Sequence, residues 1–211
     1  MSRLLSIHAD NPQQRLIRQA ADAIRAGAVV VYPTDSCYAL GCHIGDKHAM
    51  ERIRAIREVD ERHHFALVCR DLSELGTYAR VDNQQFRLLK SVTPGPYTFI
   101  MEATREVPKR LQHPSRRTIG LRVPDHRVVL ALLAELGEPL LSSTLQLPGD
   151  EHPMNDVDDI GERLGKRVDL IIDAGACGLE PTTVVNLTGD VPEVTRHGKG
   201  SVAALGLAAA G

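Results

Sequence analysis

Asp22-Ala23-Ile24-Arg25-Ala26-Gly27-Ala28-Val29-Val30-Val31-Tyr32-Pro33-Thr34-Asp35-Ser36 decides the fold, because two periodicities meet inside it. Upstream, Leu16, Ile17, Ala20, Ala21 and Ile24 recur at helical spacing. That spacing predicts an amphipathic helix capped by Asn11, with Pro12 at its first position, and stopped by Gly27. Directly afterwards, Val29-Val30-Val31-Tyr32 is an unbroken apolar run rich in β-branched residues, as in a strand covered on both faces, and Pro33 ends it. The strand feeds a polar turn, Pro33-Thr34-Asp35-Ser36.

The same alternation continues along the chain. Asp46 predicts the cap of a second helix with Ala49, Met50, Ile53 and Ile56 facing inward. Further helices are predicted over 83–90, 126–136 and 156–164, and further strands over 65–69, 97–102, 118–122, 140–144, 168–172 and 183–187. Strands interleaved with helices predict an α/β or α+β sheet domain. No repeat or Pro/Ser-rich linker divides the chain, so one domain is expected over residues 10–200, with a flexible C-terminal tail at 201–211.

Composition sets the limits. The 211 residues are 43% apolar and 25% charged, an ordinary globular balance that excludes a disordered tail protein. No apolar run approaches the roughly 20 residues that cross a bilayer, so no membrane role is expected. The opening MSRLLSIHAD has no apolar core or small-residue cleavage site of a secretory leader, and a cytoplasmic protein is expected. No Trp, three Phe and four Tyr make stacking on successive bases an improbable mode. A net charge of −2 argues against a wholly electrostatic nucleic-acid binder, although a local basic face can hide inside such a total. Cys37, Cys42, Cys69 and Cys177 contain no C-x-x-C pair, and with His43 and His48 they match no zinc spacing. No bound metal is expected.

Three constellations could carry chemistry. Between residues 105 and 127 stand Arg105, Lys109, Arg110, Arg116, Arg117, Arg122 and Arg127 against Glu106 and Asp125. They read either as a solvated face or as guanidinium forks gathered on an anion. Arg122 ends the predicted strand 118–122, and strand ends of open α/β sheets are where ligands bind. A second cluster, Arg52, Arg54, Arg57, Arg62, His63 and His64, has Glu58, Asp60 and Glu61 among it and could simply pair with them. The third is Ser142-Ser143-Thr144, followed by Gln146, where hydroxyls end an apolar strand and suit phosphate oxygens or a small polar substrate. No G-x-x-x-x-G-K-[ST] loop, G-x-S-x-G elbow or G-x-G-x-x-G turn is present.

Taken together, five separated motifs resemble the YrdC-like proteins, closest to their YciO branch: Val31-Tyr32-Pro33-Thr34-Asp35-Ser36-x-Tyr38-x-Leu40-Gly41, Pro94-Gly95-Pro96-Tyr97-Thr98, the stretch from Gly120 to His126, Pro139-Leu140-Leu141-Ser142-Ser143-Thr144, and the stretch from Pro181 to Thr188. The resemblance implies a single twisted, mixed, open sheet with flanking helices and a concave basic pocket. For the main branch it implies synthesis of threonylcarbamoyl-AMP from L-threonine, bicarbonate and ATP with Mg²⁺, for modification of tRNA at adenosine 37. Binding of double-stranded RNA, tRNA or rRNA without efficient catalysis is the alternative.

Carried over residue by residue, the resemblance implies that Arg57 and Thr144 serve catalysis, and that Thr34, Tyr38 and Arg122 line the substrate pocket. It also implies that Arg62, Ser142, Gln146, Thr182, Thr183 and Arg196 meet the nucleotide. Two positions depart from the pattern. The K-x-R signature of the synthases falls on Arg57 and Val59, and S-x-N falls on Thr144-Leu145-Gln146, so a weakened activity is expected.

Overall fold

The computed structural model describes residues 1–60, 63 and 65–206. Ten strands form one sheet: β1 (Arg3–Ser6), β2 (Val30–Tyr32), β3 (Ala39–His43), β4 (Ala66–Val68), β5 (Tyr97–Glu102), β6 (Thr118–Arg122), β7 (Leu140–Thr144), β8 (Leu170–Asp173), β9 (Thr183–Asn186) and β10 (Glu193–Arg196). Their order is β1-β8-β2-β3-β7-β4-β6-β5-β9-β10. The sheet is mixed. β8 runs parallel to β1 and β2, β4 to β6 and β5 to β9, and the remaining neighbours are antiparallel.

Six helices cover it: α1 (Gln14–Arg25), α2 (Lys47–Arg57), α3 (Leu72–Tyr78), α4 (Asn83–Val92), α5 (Arg127–Leu136) and α6 (Val157–Leu164). None among the described residues is long and apolar enough to cross a membrane. Side chains alternate across a strand, so each strand feeds two cores. On one face, Val31, Leu40, Leu67, Phe99, Leu121 and Leu141 pack under α2, α3, α4 and α6. On the other, Val30, Tyr32, Leu140 and Leu170 pack under α1 and α5, through Ile17, Ala20, Ile24, Val129, Leu132 and Leu133. α1 and α5 cover that face from β1 as far as Val68 at the end of β4, and among the described residues the stretch from Ala66 over β6, β5 and β9 is left without a helix.

Local chemistry explains the boundaries. The Asp46 carboxylate accepts the Ala49 amide at 2.9 Å and opens α2, as its position predicts. Asn11 does not cap α1. Its amide and that of Asp10 donate to His8 Nδ1, tying residues 8–11 into a turn, and the helix starts at Gln14. The expected strand at 168–172 runs from Leu170 to Asp173, because the Asp169 carboxylate turns aside to accept the Val29 amide. Propensity missed β1, β3, α3 and β10. β3 is Ala-Leu-Gly-Cys-His, and its Gly41 is obligatory: a Cβ there would stand 2.7 Å from Leu140 and 2.8 Å from Tyr32. β1 and β10 are four-residue edge strands with little buried surface. The tail expected to fray from 201 instead winds a 3-10 turn at Ala203–Leu205 with Leu205 buried, and 207–211 lie outside the described residues.

Candidate functional site

The uncovered stretch of sheet is the floor of a hollow of about 390 Å³. Ala66, Thr98, Ile100, Gly120, Ser142 and Val184 line it from neighbouring strands. Ala66, Thr98, Gly120 and Ser142 are small or polar where the same face under α1 and α5 is mostly aliphatic. A Cβ on Gly120 would press to 3.3 Å on both the Phe65 carbonyl and Thr98, so the floor is held low by a glycine. Arg57 from the end of α2, Arg122 from the end of β6 and Arg196 from β10 project around the rim, and no Asp or Glu joins them among the described lining residues. Three cations from elements far apart in sequence thus face one carboxylate-free space.

Each arginine is held by what it touches. Arg57 donates to the Thr144 carbonyl and, at 3.3 Å, to the Ser143 hydroxyl. Arg122 is only 7% exposed. Its guanidinium is paired with the Asp35 carboxylate, which also accepts the Asp125 amide at 3.0 Å. Arg196 donates to the Thr182 carbonyl at 2.9 and 3.1 Å and to its hydroxyl at 3.1 Å. Burial pulls the Arg57 and Arg196 guanidinium groups below their ordinary range, yet guanidinium stays protonated in proteins. The Nε atoms of Arg57 and Arg122 are buried without a hydrogen-bond partner among the described residues. Buried donors are almost always satisfied, so two unsatisfied Nε–H donors beside one hollow suit an arriving anion.

Of the residues the resemblance pointed to, Arg57, Arg122, Ser142, Thr144, Gln146, Thr182 and Arg196 come together on the wall. Three others do not. Thr34 spends its hydroxyl inside its own turn, donating to the Cys37 carbonyl at 2.7 Å and accepting the Ser36 and Cys37 amides. Tyr38 is buried in the opposite core and donates to the Gly175 carbonyl at 2.8 Å, and burial pushes its phenol well up. Thr183 points to the opposite face from Thr182, as strand alternation requires, and there donates to the Gly200 carbonyl at 2.6 Å. Arg62 lies outside the described residues. Gln146 reaches the wall, but its amide donates away, to the Asp150 carbonyl at 3.0 Å.

Ser143, already part of the hydroxyl run, also lines the hollow, and so do His63, Cys37, Thr98 and Thr195, to which no site role was given. Ser143 alternates away from Ser142. It still borders the hollow because β4 begins at Ala66, opposite Ser142, and Ser143 extends past the end of that ladder. The cation-rich stretches resolve differently. Arg52 pairs with Asp169 at 2.7 Å and Arg54 with Glu51 at 2.9 Å, carboxylates other than the Glu58, Asp60 and Glu61 that the sequence sets among these arginines. Arg110 binds the Ile44 and Gly45 carbonyls. Arg80, Arg105, Lys109, Arg116 and Arg117 line a second, open groove of about 750 Å³ in which Glu102 is the one carboxylate among the described lining residues. The four cysteines are free thiols, and burial raises the Cys37 thiol. No group of three His, Cys, Asp or Glu side chains placed to hold a metal ion occurs among the described residues.

This geometry can be compared with known proteins. The model of the Sua5/YciO/YrdC family, described as telomere recombination, matches residues 22–198. The chain belongs to that family. It is 57% identical to the Escherichia coli (strain K12) protein YciO over 202 residues, covering 96% of this chain and 98% of that one. The crystal structure of E. coli YciO superposes with a TM-score of 0.94 at 56% identity, over 97% of this chain and all of the other. A threonylcarbamoyl-AMP synthase of Vibrio vulnificus is 30% identical over 159 residues, covering 74% of this chain and 84% of its own. The crystal structure of P. abyssi Sua5 complexed with L-threonine shares the fold, with a TM-score of 0.85 at 24% identity over 93% of this chain and 58% of the other. The Sua5/YciO/YrdC fold is therefore the frame that carries the three arginines.

Proposed function

We propose that the hollow binds ATP and an amino acid and transfers the adenylyl group to a carbamate, as in threonylcarbamoyl-AMP synthesis. The observation that carries this reading is the convergence of Arg57, Arg122 and Arg196 with the hydroxyls of Ser142, Thr144 and Thr182 on a space free of described carboxylates. The 30% identical Vibrio synthase and the L-threonine held by P. abyssi Sua5 support threonine as the amino acid. In the reaction, the ammonium group of threonine combines with bicarbonate to a carbamate, releasing water and a proton. A carbamate oxygen then bonds to the α-phosphorus while the bridging P–O bond breaks, and pyrophosphate leaves with that electron pair. Such a transfer needs alignment and charge neutralisation above all.

Arg122 holds the substrate carboxylate, its guanidinium fixed by the Asp35 carboxylate and, at 3.4 Å, by the Ser36 hydroxyl. Arg57 and Arg196 face the phosphates, and Ser142, Thr144 and Thr182 complete the polar wall. Mg²⁺ arrives on the triphosphate as part of the substrate. Turnover is slower than in the synthases, because Val59 stands where they carry a second cation and the Gln146 amide is committed elsewhere. The test is pyrophosphate release from ATP, L-threonine, bicarbonate and Mg²⁺, compared with Arg196→Ala. Release that depends on both threonine and bicarbonate and falls in the variant supports the reading, and equal release by the two proteins removes it.

A specific observation favours a second reading, binding of structured RNA such as tRNA or rRNA. Lys109, Arg116 and Arg117 in the open groove form no ion pair among the described residues. Unpaired cations in a groove suit a phosphate backbone and give a binding constant that falls steeply with salt. A flat salt series would leave the groove as solvated surface.

A further inference from the structure

We infer that Ser143 and His63 form a proton relay at the hollow, with His63 as the base that takes the proton the amine substrate must lose. His63 Nε2 lies 3.2 Å from the Ser143 hydroxyl oxygen, and the Arg57 guanidinium lies 3.3 Å from the same oxygen. Arginine can only donate, so the hydroxyl oxygen accepts from Arg57 and its own proton is free to turn to His63 Nε2. A protonated imidazole there would place two cations on one hydroxyl. In the neutral Nδ1–H tautomer, Nε2 accepts the Ser143 proton, and that is the form the relay uses. The ring is set edge-on to Phe65, with centroids 5.5 Å apart at 88°, which fixes its orientation.

The surroundings leave the task to this side chain. Around the hollow, α2 contributes Arg57, β6 contributes Arg122 and β10 contributes Arg196, all permanently protonated, and the loop before β3 contributes Cys37, whose thiol burial has raised. No described carboxylate lines the space. Imidazole is thus the one described lining group whose ordinary titration falls near neutrality. Chemistry supplies the need: an ammonium and bicarbonate become a carbamate, water and one proton, and the nitrogen must surrender its proton before its electron pair can form the C–N bond. The proton passes from nitrogen to the Ser143 oxygen as that hydroxyl hands its own to His63 Nε2.

This inference rests on the adenylyl-transfer reading. The experiment follows kcat for pyrophosphate release against pH in the wild type, His63→Gln and Ser143→Ala, with thermal unfolding to confirm that each is folded. Positioned bases contribute about 10²- to 10⁴-fold. His63→Gln should lose activity in that range together with the rise in rate between pH 6 and 8 expected of an imidazole base (about one unit around its ordinary value). Ser143→Ala should lower kcat with little change in KM for ATP. Added imidazole should restore part of the activity of His63→Gly, which a merely structural role would not allow. A wild-type rate that falls over the same interval would make His63 a cation rather than a base and overturn the inference. So would an unchanged profile in His63→Gln. Absence of release from the wild type at every pH removes the adenylyl-transfer reading itself, and the relay with it.

Discussion

One face of the sheet divides into two halves that obey different rules. Under α1 and α5 it is aliphatic and closed, with Val30, Leu140, Leu132 and Leu133 fully buried. Over β4, β6, β5 and β9 the same face carries Gly120, Ala66, Thr98 and Val184 and is ringed by arginine. The difference separates what holds the fold from what the fold presents. Burial of aliphatic surface is the dominant favourable term in folding, whereas the open half keeps guanidinium groups buried with orphaned donors, an arrangement that costs stability and suits a ligand.

Substitutions can break or sharpen this contrast. The largest effect is expected at Arg122. Arg122→Ala leaves the Asp35 carboxylate buried without its partner and should cost about 3–5 kcal/mol in denaturant unfolding. It should also lower pyrophosphate release by about 10²- to 10³-fold. Adding Asp35→Asn should recover most of the stability and none of the turnover, and recovery of both would show that the pair is structural alone. Next comes the closed half, where Leu133→Ala should cost about 2–5 kcal/mol, read as a lower Tm, with ATP affinity at 25 °C unchanged. An equal loss of affinity would mean that the halves are not separable.

Smaller effects are expected at the surface. Reversing charge with Arg116→Glu and Arg117→Glu should weaken RNA binding by roughly tenfold or more and lower the salt slope by about one for each phosphate no longer engaged, leaving pyrophosphate release intact. The smallest concerns Asp169. Burial raises its carboxyl, but the Arg52 guanidinium and the Val29 amide outweigh that and hold it below the usual carboxylate range. A carboxylate lowered in the folded state adds stability above its unfolded pKa, near 4, that is lost as pH falls through the folded value. Asp169→Asn should therefore cost roughly 1 kcal/mol at pH 7, less at high salt because the pair is partly exposed, and should flatten the decline in stability below about pH 4.

The long periodic elements were legible because their residues carry both the pattern and the stop signal. Strands at 97–102, 118–122 and 140–144 and the Asp46-capped helix came out as read. Edge strands were not legible, since four residues with a single inward side chain, Leu5 in β1 and Val194 in β10, carry no periodicity. The hollow was legible in part. Arg57, Arg122 and Arg196 follow from motif resemblance, whereas Thr34, Tyr38 and Thr183 belong to the same motifs and turn elsewhere. Motif membership fixes a residue's neighbourhood in the chain, and the pleat decides which face it meets.

Sequence alone determined the α/β alternation, the strand that ends at Arg122 and the hydroxyl run of β7, because hydrophobic period and turn chemistry are local. Only the tertiary structure decided that α1 and α5 cover half of one face, that Asp35 occupies one edge of Arg122, and that His63 meets Ser143 beyond the end of β4. Those facts depend on pairings between residues 80 or more apart in the chain, and such pairings are set by how the layers pack, which no local pattern records.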